Sequence, residues 1–135
     1  MDVVLLVGRI LFGLVFLGSA MGHLTQTDAM AGYAGSKGVP AARAATIVSG
    51  VVMVVGALLV ILGWWGDLGA LLLALFLITT AFVMHAFWKE TEPMEKQMEQ
   101  IQFMKDLSLA GAALVLLWLF SQVGEVPLAL GDGLF

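Results

Sequence analysis

The chain has 135 residues, 61% of them hydrophobic and 12% charged, with a mean hydropathy of +1.02. Soluble domains carry about 25% charged residues, so this share cannot cover a water-facing surface, and the length fits one membrane bundle. A net charge of −4 leaves no basic patch for phosphates and excludes nucleic acid, while the lack of cysteine excludes disulfides, thiolate metal sites and iron–sulfur clusters.

Four runs reach the ~20 apolar residues that cross a ~30 Å hydrocarbon core. They are residues 3–22, 44–62, 68–87 and 104–123. Lipid offers no partner for unpaired backbone groups, and four segments cannot close a barrel. The prediction is an all-α integral membrane bundle of four transmembrane helices occupying residues 1–135. Asp2 and the absence of a basic leader segment favour a retained first span over a cleaved signal.

Span one contains Arg9 and ends in GSAMG, where Gly18 and Gly22 form a small-xxx-small packing motif. The connection after it is long and holds Tyr33, Lys37, Arg43 and four turn formers, Gly32, Gly35, Gly38 and Pro40. Span two is uncharged and dotted with Gly50 and Gly56, which suit close helix packing. Trp64, Trp65, Gly66 and Asp67 read as a tight turn, with tryptophans at interface depth and Asp67 capping the next helix. Span three carries His85, and Trp88 follows it. Glu92-Pro93 then reads as a helix start, with Met94, Met98 and Ile101 forming an apolar stripe under Glu95, Lys96 and Glu99. This is a short amphipathic interfacial helix before the fourth span and continuing into it, and that span opens on Lys105-Asp106. The acidic tail from residue 124 carries no readable signal.

Lys37, Arg43, Lys89, Lys96 and Lys105 all fall in or beside the two long connections, and only Arg9 lies elsewhere. The positive-inside rule places those connections in the cytoplasm and both termini outside. Alternating spans then gather His23, His85, Trp88, Lys105 and Asp106 at the inner face, with Tyr33 beside them. Arg9 and Asp67 belong to the opposite face. Arg9 and His23 are 14 residues apart, near four turns, and Asp67 and His85 are 18 apart, five turns, so each pair shares a helix side. If those sides face inward, Arg9 pairs with Asp67 and His23 meets His85. A central charge costs about 2.5–3.5 kcal/mol in insertion, so an internal partner for Arg9 competes with snorkelling to the headgroups. No HxxxH or ExxH spacing accompanies the histidines, and no metal is expected. Imidazole titrates near neutral pH and donates to carbonyls, which suits proton handling or a quinone head group; purely structural histidines are the alternative.

Several pieces together resemble the DoxX family of small four-helix bacterial membrane proteins. They are RILFGLVFLGSAMGHL at 9–24, YAGSKGVP at 33–40, the Gly-dotted second span ending in Leu62-Gly63, HAFWK at 85–89 and QFMKDLSLAG at 102–111. Two departures stand out. Ser49 precedes Gly50 where the family commonly has an acidic residue, and Lys105-Asp106 stands where Lys-Asn is common. The resemblance implies a bacterial inner-membrane location and an association with quinol-oxidase or thiosulfate–quinone oxidoreductase assemblies, or with oxidant defence.

The expected function is therefore a redox-assembly subunit contacting quinone at His23, Tyr33, His85, Trp88, Lys105 and Asp106, with no intrinsic cofactor. It would contact the lipid bilayer and other membrane subunits or copies of itself. The alternatives are a non-catalytic assembly subunit and a small-solute or lipid-handling protein.

Overall fold

Runs of Leu, Val, Ile and Ala without internal proline wind into long helices in the computed structural model, which describes residues 1–135. The elements are α1 (Asp2–Thr25), α2 (Thr27–Ser36), α3 (Ala42–Leu62), α4 (Gly66–Met84), a 3₁₀ turn at Phe87–Lys89, and α5 (Pro93–Gln122). Four of these helices are long and apolar enough to cross a membrane, and α2 is a short addition within the first long connection. The amphipathic segment runs on into the fourth span as one helix. It forms the first turns of α5, started by Pro93 and by the Glu92 carboxylate, which accepts from the Met94 and Glu95 amides at 3.1 and 3.2 Å. At ~1.5 Å per residue, the 30 residues of α5 reach about 45 Å, so those turns stand beyond a ~30 Å core.

Helix ends follow backbone chemistry. The last turn of α3 closes on Gly63, whose φ of 71° places it in the left-handed region that suits glycine. Trp65 initiates α4 at φ 50°, and its amide donates to the Asp132 carbonyl at 3.1 Å. Trp65, rather than Asp67, thus occupies the cap position; Asp67 sits in the first turn. Helix α4 stops at Met84, earlier than the predicted residue 87, and His85 forms its C-cap.

Helix α1 packs on α3, α3 on α4, and α4 on α5, while α2 lies against α3. The core gathers Phe16, Met53, Val60, Leu73, Leu77 and Phe120, with alanines between them. Lipid tails are as apolar as leucine, so burial alone does not drive this association; close fit does. The α3–α4 seam shows it. A Cβ on Gly56 would lie 2.8 Å from Leu73, and one on Gly69 would lie 2.8 Å from the Gly56 carbonyl. Gly50 likewise admits Leu24 of α1. Gly18 and Gly22 do not serve the predicted packing within this chain. A Cβ at Gly18 meets nothing within 4 Å, and one at Gly22 meets only the Met30 methyl at 3.9 Å.

The tail folds back over the end of the bundle that carries the Trp64-Trp65 turn. The Leu130 amide donates to the Leu62 carbonyl at 2.9 Å, and Val126 packs against the core. We refer to this as the tail end, and to the opposite one, with both long connections, as the loop end.

Candidate functional site

Arg9 and Asp67 are both fully buried at the tail end, yet they form no ion pair. The Arg9 Nη2 donates to the Leu128 carbonyl at 2.6 Å, and the guanidinium lies 6.0 Å from the centre of the Phe120 ring. Asp67 Oδ2 accepts from the Leu134 and Phe135 amides at 2.6 and 2.7 Å, and Oδ1 accepts from Leu68 at 2.8 Å. The predicted pairing fails because the tail supplies backbone partners to each residue first.

The loop end is built differently. A cavity of about 550 Å³ opens there among α1, α2, α3, α4 and α5. Phe16, Met53, Leu77 and Leu109 line its deeper part, and His23, Tyr33, His85, Glu99 and Asp106 line its polar part. Leu77 lies eight residues before His85, so the cavity runs about 12 Å along α4.

Glu99 is the hub of the polar part. Its Oε1 accepts from the Tyr33 hydroxyl at 2.9 Å and from Lys37 Nζ at 3.1 Å, while Oε2 meets His85 Nδ1 at 2.7 Å. Lys37 also bonds Glu90 Oε1 at 2.8 Å, which ties the α2–α3 connection to the segment after α4. The hydrogen bond to Glu90 is the largest cause that holds the Lys37 ammonium well above the ordinary lysine range, against desolvation; the bond to Glu99 adds to it. Burial, then the bond to Glu99, raises the Tyr33 phenol.

An ionised carboxylate only accepts, so His85 carries its proton on Nδ1. Nε2 then faces Asp106 Oδ2 at 3.6 Å, too far for a hydrogen bond. That Oδ2 is buried and has no hydrogen-bond partner. Lys105 Nζ stands 3.7 Å from Asp106 Oδ1 and bonds Gln102 instead, at 2.5 Å. His23 lines the same cavity, with Nδ1 on the Ser19 carbonyl at 2.9 Å. No three His, Asp or Glu side chains converge to hold a metal ion.

The sequence model of the DoxX family matches residues 4–86, from α1 through the end of α4. The chain belongs to the DoxX family. Among curated proteins, "Inner membrane protein YphA" of Escherichia coli (strain K12) is similar at 32% identity over 114 residues, which cover 84% of this chain and 81% of that one. No solved structure matches. Four apolar helices and an inner-membrane relative make this DoxX protein a multi-pass inner-membrane protein.

Five of the six residues predicted for the inner-face site (His23, Tyr33, His85, Lys105 and Asp106) line this same cavity of the DoxX protein. Trp88 does not. With α4 stopping at Met84, the 3₁₀ turn carries its indole into an aromatic group with Phe82, Phe87 and Phe103, at 6.1, 5.2 and 5.6 Å between ring centres. Glu99, Lys37 and Glu90 are the partners that sequence reasoning missed. Glu99 had a signal: it lies seven residues, close to two turns, before Asp106, and so shares its side of α5. Lys37 and Glu90 sit in connections with no period to reveal them.

Proposed function

We propose that this DoxX protein is a subunit of an inner-membrane redox assembly and holds the head of a quinone-type molecule in the loop-end cavity. One observation carries the reading: the cavity is amphiphilic along its length. Its volume of about 550 Å³ falls within the ~300–1,000 Å³ of ligand pockets. An apolar tail would lie along Phe16, Met53 and Leu77, and the head would meet His85, Asp106 and the Tyr33 phenol. His85 Nε2 and Asp106 Oδ2 would hold and pass the head group's proton, with Glu99 fixing the imidazole orientation as carboxylates do for functional histidines. Electrons would come from partner subunits, since the sequence carries no flavin, haem or iron–sulfur motif. The Lys and Arg cluster supports a cytoplasmic loop end and both termini outside.

A second reading, a subunit that assembles others and holds no ligand, is favoured by Gly8 and Gly18. A Cβ at either would meet nothing within 4 Å, so α1 keeps small positions free for another helix or a second copy. Purification in mild detergent, followed by solvent extraction of bound quinone, separates the two. The proposed function expects quinone with the wild-type protein and about tenfold less with His85→Ala, the scale of a lost charge-assisted hydrogen bond. No quinone in either preparation, with partners co-purifying equally, supports the second reading.

A further inference from the structure

The two unsatisfied features of the loop end, a missing helix contact and a missing proton donor, point to the same visitor. We propose that the cavity is loaded sideways from the bilayer, between α1 and α5, by a membrane-dissolved molecule whose hydroxyl is captured by Asp106; for a quinone-type ligand this is the reduced quinol. The inference rests on the cavity reading above and adds the route and the redox form.

The route follows from what is closed. On the water side, Lys37 joins the α2–α3 connection to Glu90 and Glu99, and Glu99 in turn holds Tyr33 of α2 and His85 of α4's cap. These bonds lace four segments across the end of the bundle. Laterally, α1–α3, α3–α4 and α4–α5 are packed seams, whereas α1 and α5 do not pack along each other. Their side chains meet toward the tail end, where Arg9 lies over Phe120. Toward the loop end both helices line the cavity, through Val15 and Ser19 on one side and Gln102, Lys105 and Leu109 on the other. Ser19 and Val15 are exposed although they line the cavity, as expected at an open side. A molecule dissolved in lipid meets this gap without crossing the ion network.

The chemistry of the head follows from hydrogen-bond arithmetic. His85 spends its Nδ1 proton on Glu99, so a neutral ring presents a lone pair at Nε2. With Asp106 ionised, its Oδ2 is a second acceptor, 3.6 Å away, buried and unpartnered. Two acceptors face each other with no donor in hydrogen-bond reach of Oδ2, since the Lys105 ammonium stands 3.7 Å from the other oxygen and bonds Gln102, and leaving a buried acceptor unmade is costly. A hydroxyl placed between them donates to the carboxylate. A carbonyl there adds a third acceptor and satisfies nothing. The residue that sets the preference is Asp106.

The test uses full-length protein in lipid nanodiscs, with a short-chain ubiquinol and the corresponding ubiquinone as probes. Wild type should bind the quinol about tenfold more tightly than the quinone, the scale of one hydrogen bond to a charged group. Asp106→Asn has nearly the same shape and gains an N–H donor, so it should lose or reverse that preference while still binding. For the route, the chain's lack of cysteine permits a Ser19→Cys, Leu109→Cys pair bridged by a short bifunctional thiol reagent. Bridging before loading should exclude the quinol, and bridging after loading should trap it. Order-independent binding overturns the lateral route, and equal binding of the two forms by wild type and Asp106→Asn overturns the hydroxyl assignment; both results leave the cavity reading standing. Binding of neither probe by unbridged wild type overturns that reading itself. Displacement of both probes by a hydroxyl-headed lipid such as phosphatidylglycerol overturns the quinol assignment.

Discussion

At the tail end, Arg9 and Asp67 bond to backbone groups of the last residues of the chain. At the loop end, Lys37, His85, Glu90, Glu99 and Tyr33 bond to one another through side chains from separate elements. Backbone partners come with covalent chain attached, and the chain that supplies them fills the space around the charge. Side-chain partners reach in from the rim and leave room between them. The tail end is therefore sealed, with Gly133 so near Asp67 that a Cβ would lie 2.8 Å from its carboxylate. Arg9 Nε and Nη1 also lack partners there, but chain encloses them, whereas the unpartnered Asp106 oxygen of the loop end stands beside a cavity. Burying charge does not by itself make a site; the kind of partner decides.

The largest break in this contrast comes from Asp67→Ala. It removes an acceptor of three amides, two of which anchor the end of the tail, and leaves those groups without a charged partner. A loss of about 2–4 kcal/mol is expected, on the scale of charge-assisted bonds lost at a buried site. It should be read as a lowered melting midpoint in detergent, with protease cutting first in the tail. An unchanged midpoint would mean that the tail does not hold that end together.

Glu99→Gln should cost less, about 1–2 kcal/mol, because an amide keeps the shape and one acceptor while losing the charge that binds Lys37 and His85. Its signature is local. Hydrogen exchange should rise in α2 and around His85 while the tail stays protected, and equal change at both ends would show that the two ends are not independent.

Asp106→Leu sharpens the contrast by changing sign. Replacing an acceptor that has no partner with an apolar side chain of similar size relieves a desolvation cost, so stability should rise by up to about 1 kcal/mol. Head-group binding should vanish in the same protein. Such opposed effects are the mark of a residue kept for function, and a destabilised variant would instead make Asp106 part of the scaffold.

These contrasts also show where sequence reading reached and where it stopped. Four spans were legible because lipid demands a long apolar run for each; helical phase set Arg9 and Asp67 toward the interior at one end and the two histidines at the other, and the structure buries the first two and lines one cavity with the histidines. The phase of a helix tells which way a side chain points; it does not tell what it meets. Arg9 and Asp67 were paired with each other because the tail offers amides and carbonyls, which every sequence has and no residue pattern announces. Helix α2 was missed because Gly32 and Gly35 read as breakers, whereas packing on α3 and the Thr27 hydroxyl on the His23 carbonyl at 2.8 Å sustain it. Trp88 left the site because α4 ended one turn early.

The smallest expected effect concerns pH and tests how firmly the loop end is laced. Lys37 is held above the ordinary lysine value by Glu90 first and Glu99 second. A cation whose folded pKa is raised contributes stability in full below its unfolded pKa, about 10.4, and loses it only as pH climbs through the higher folded value. Comparing wild type with Lys37→Met should therefore give a melting gap that is flat from about pH 7 to 10 and narrows only above that. The gap itself should be small, about 1 kcal/mol, since the side chain remains 19% exposed and part of the attraction is screened. An ammonium that titrates like a free lysine has equal folded and unfolded values, so a gap that did not narrow at all above about pH 10 would mean that Lys37 is held by neither carboxylate. The water side of the cavity would then be open in solution, and the loop end would owe its shape to packing rather than to the ion network.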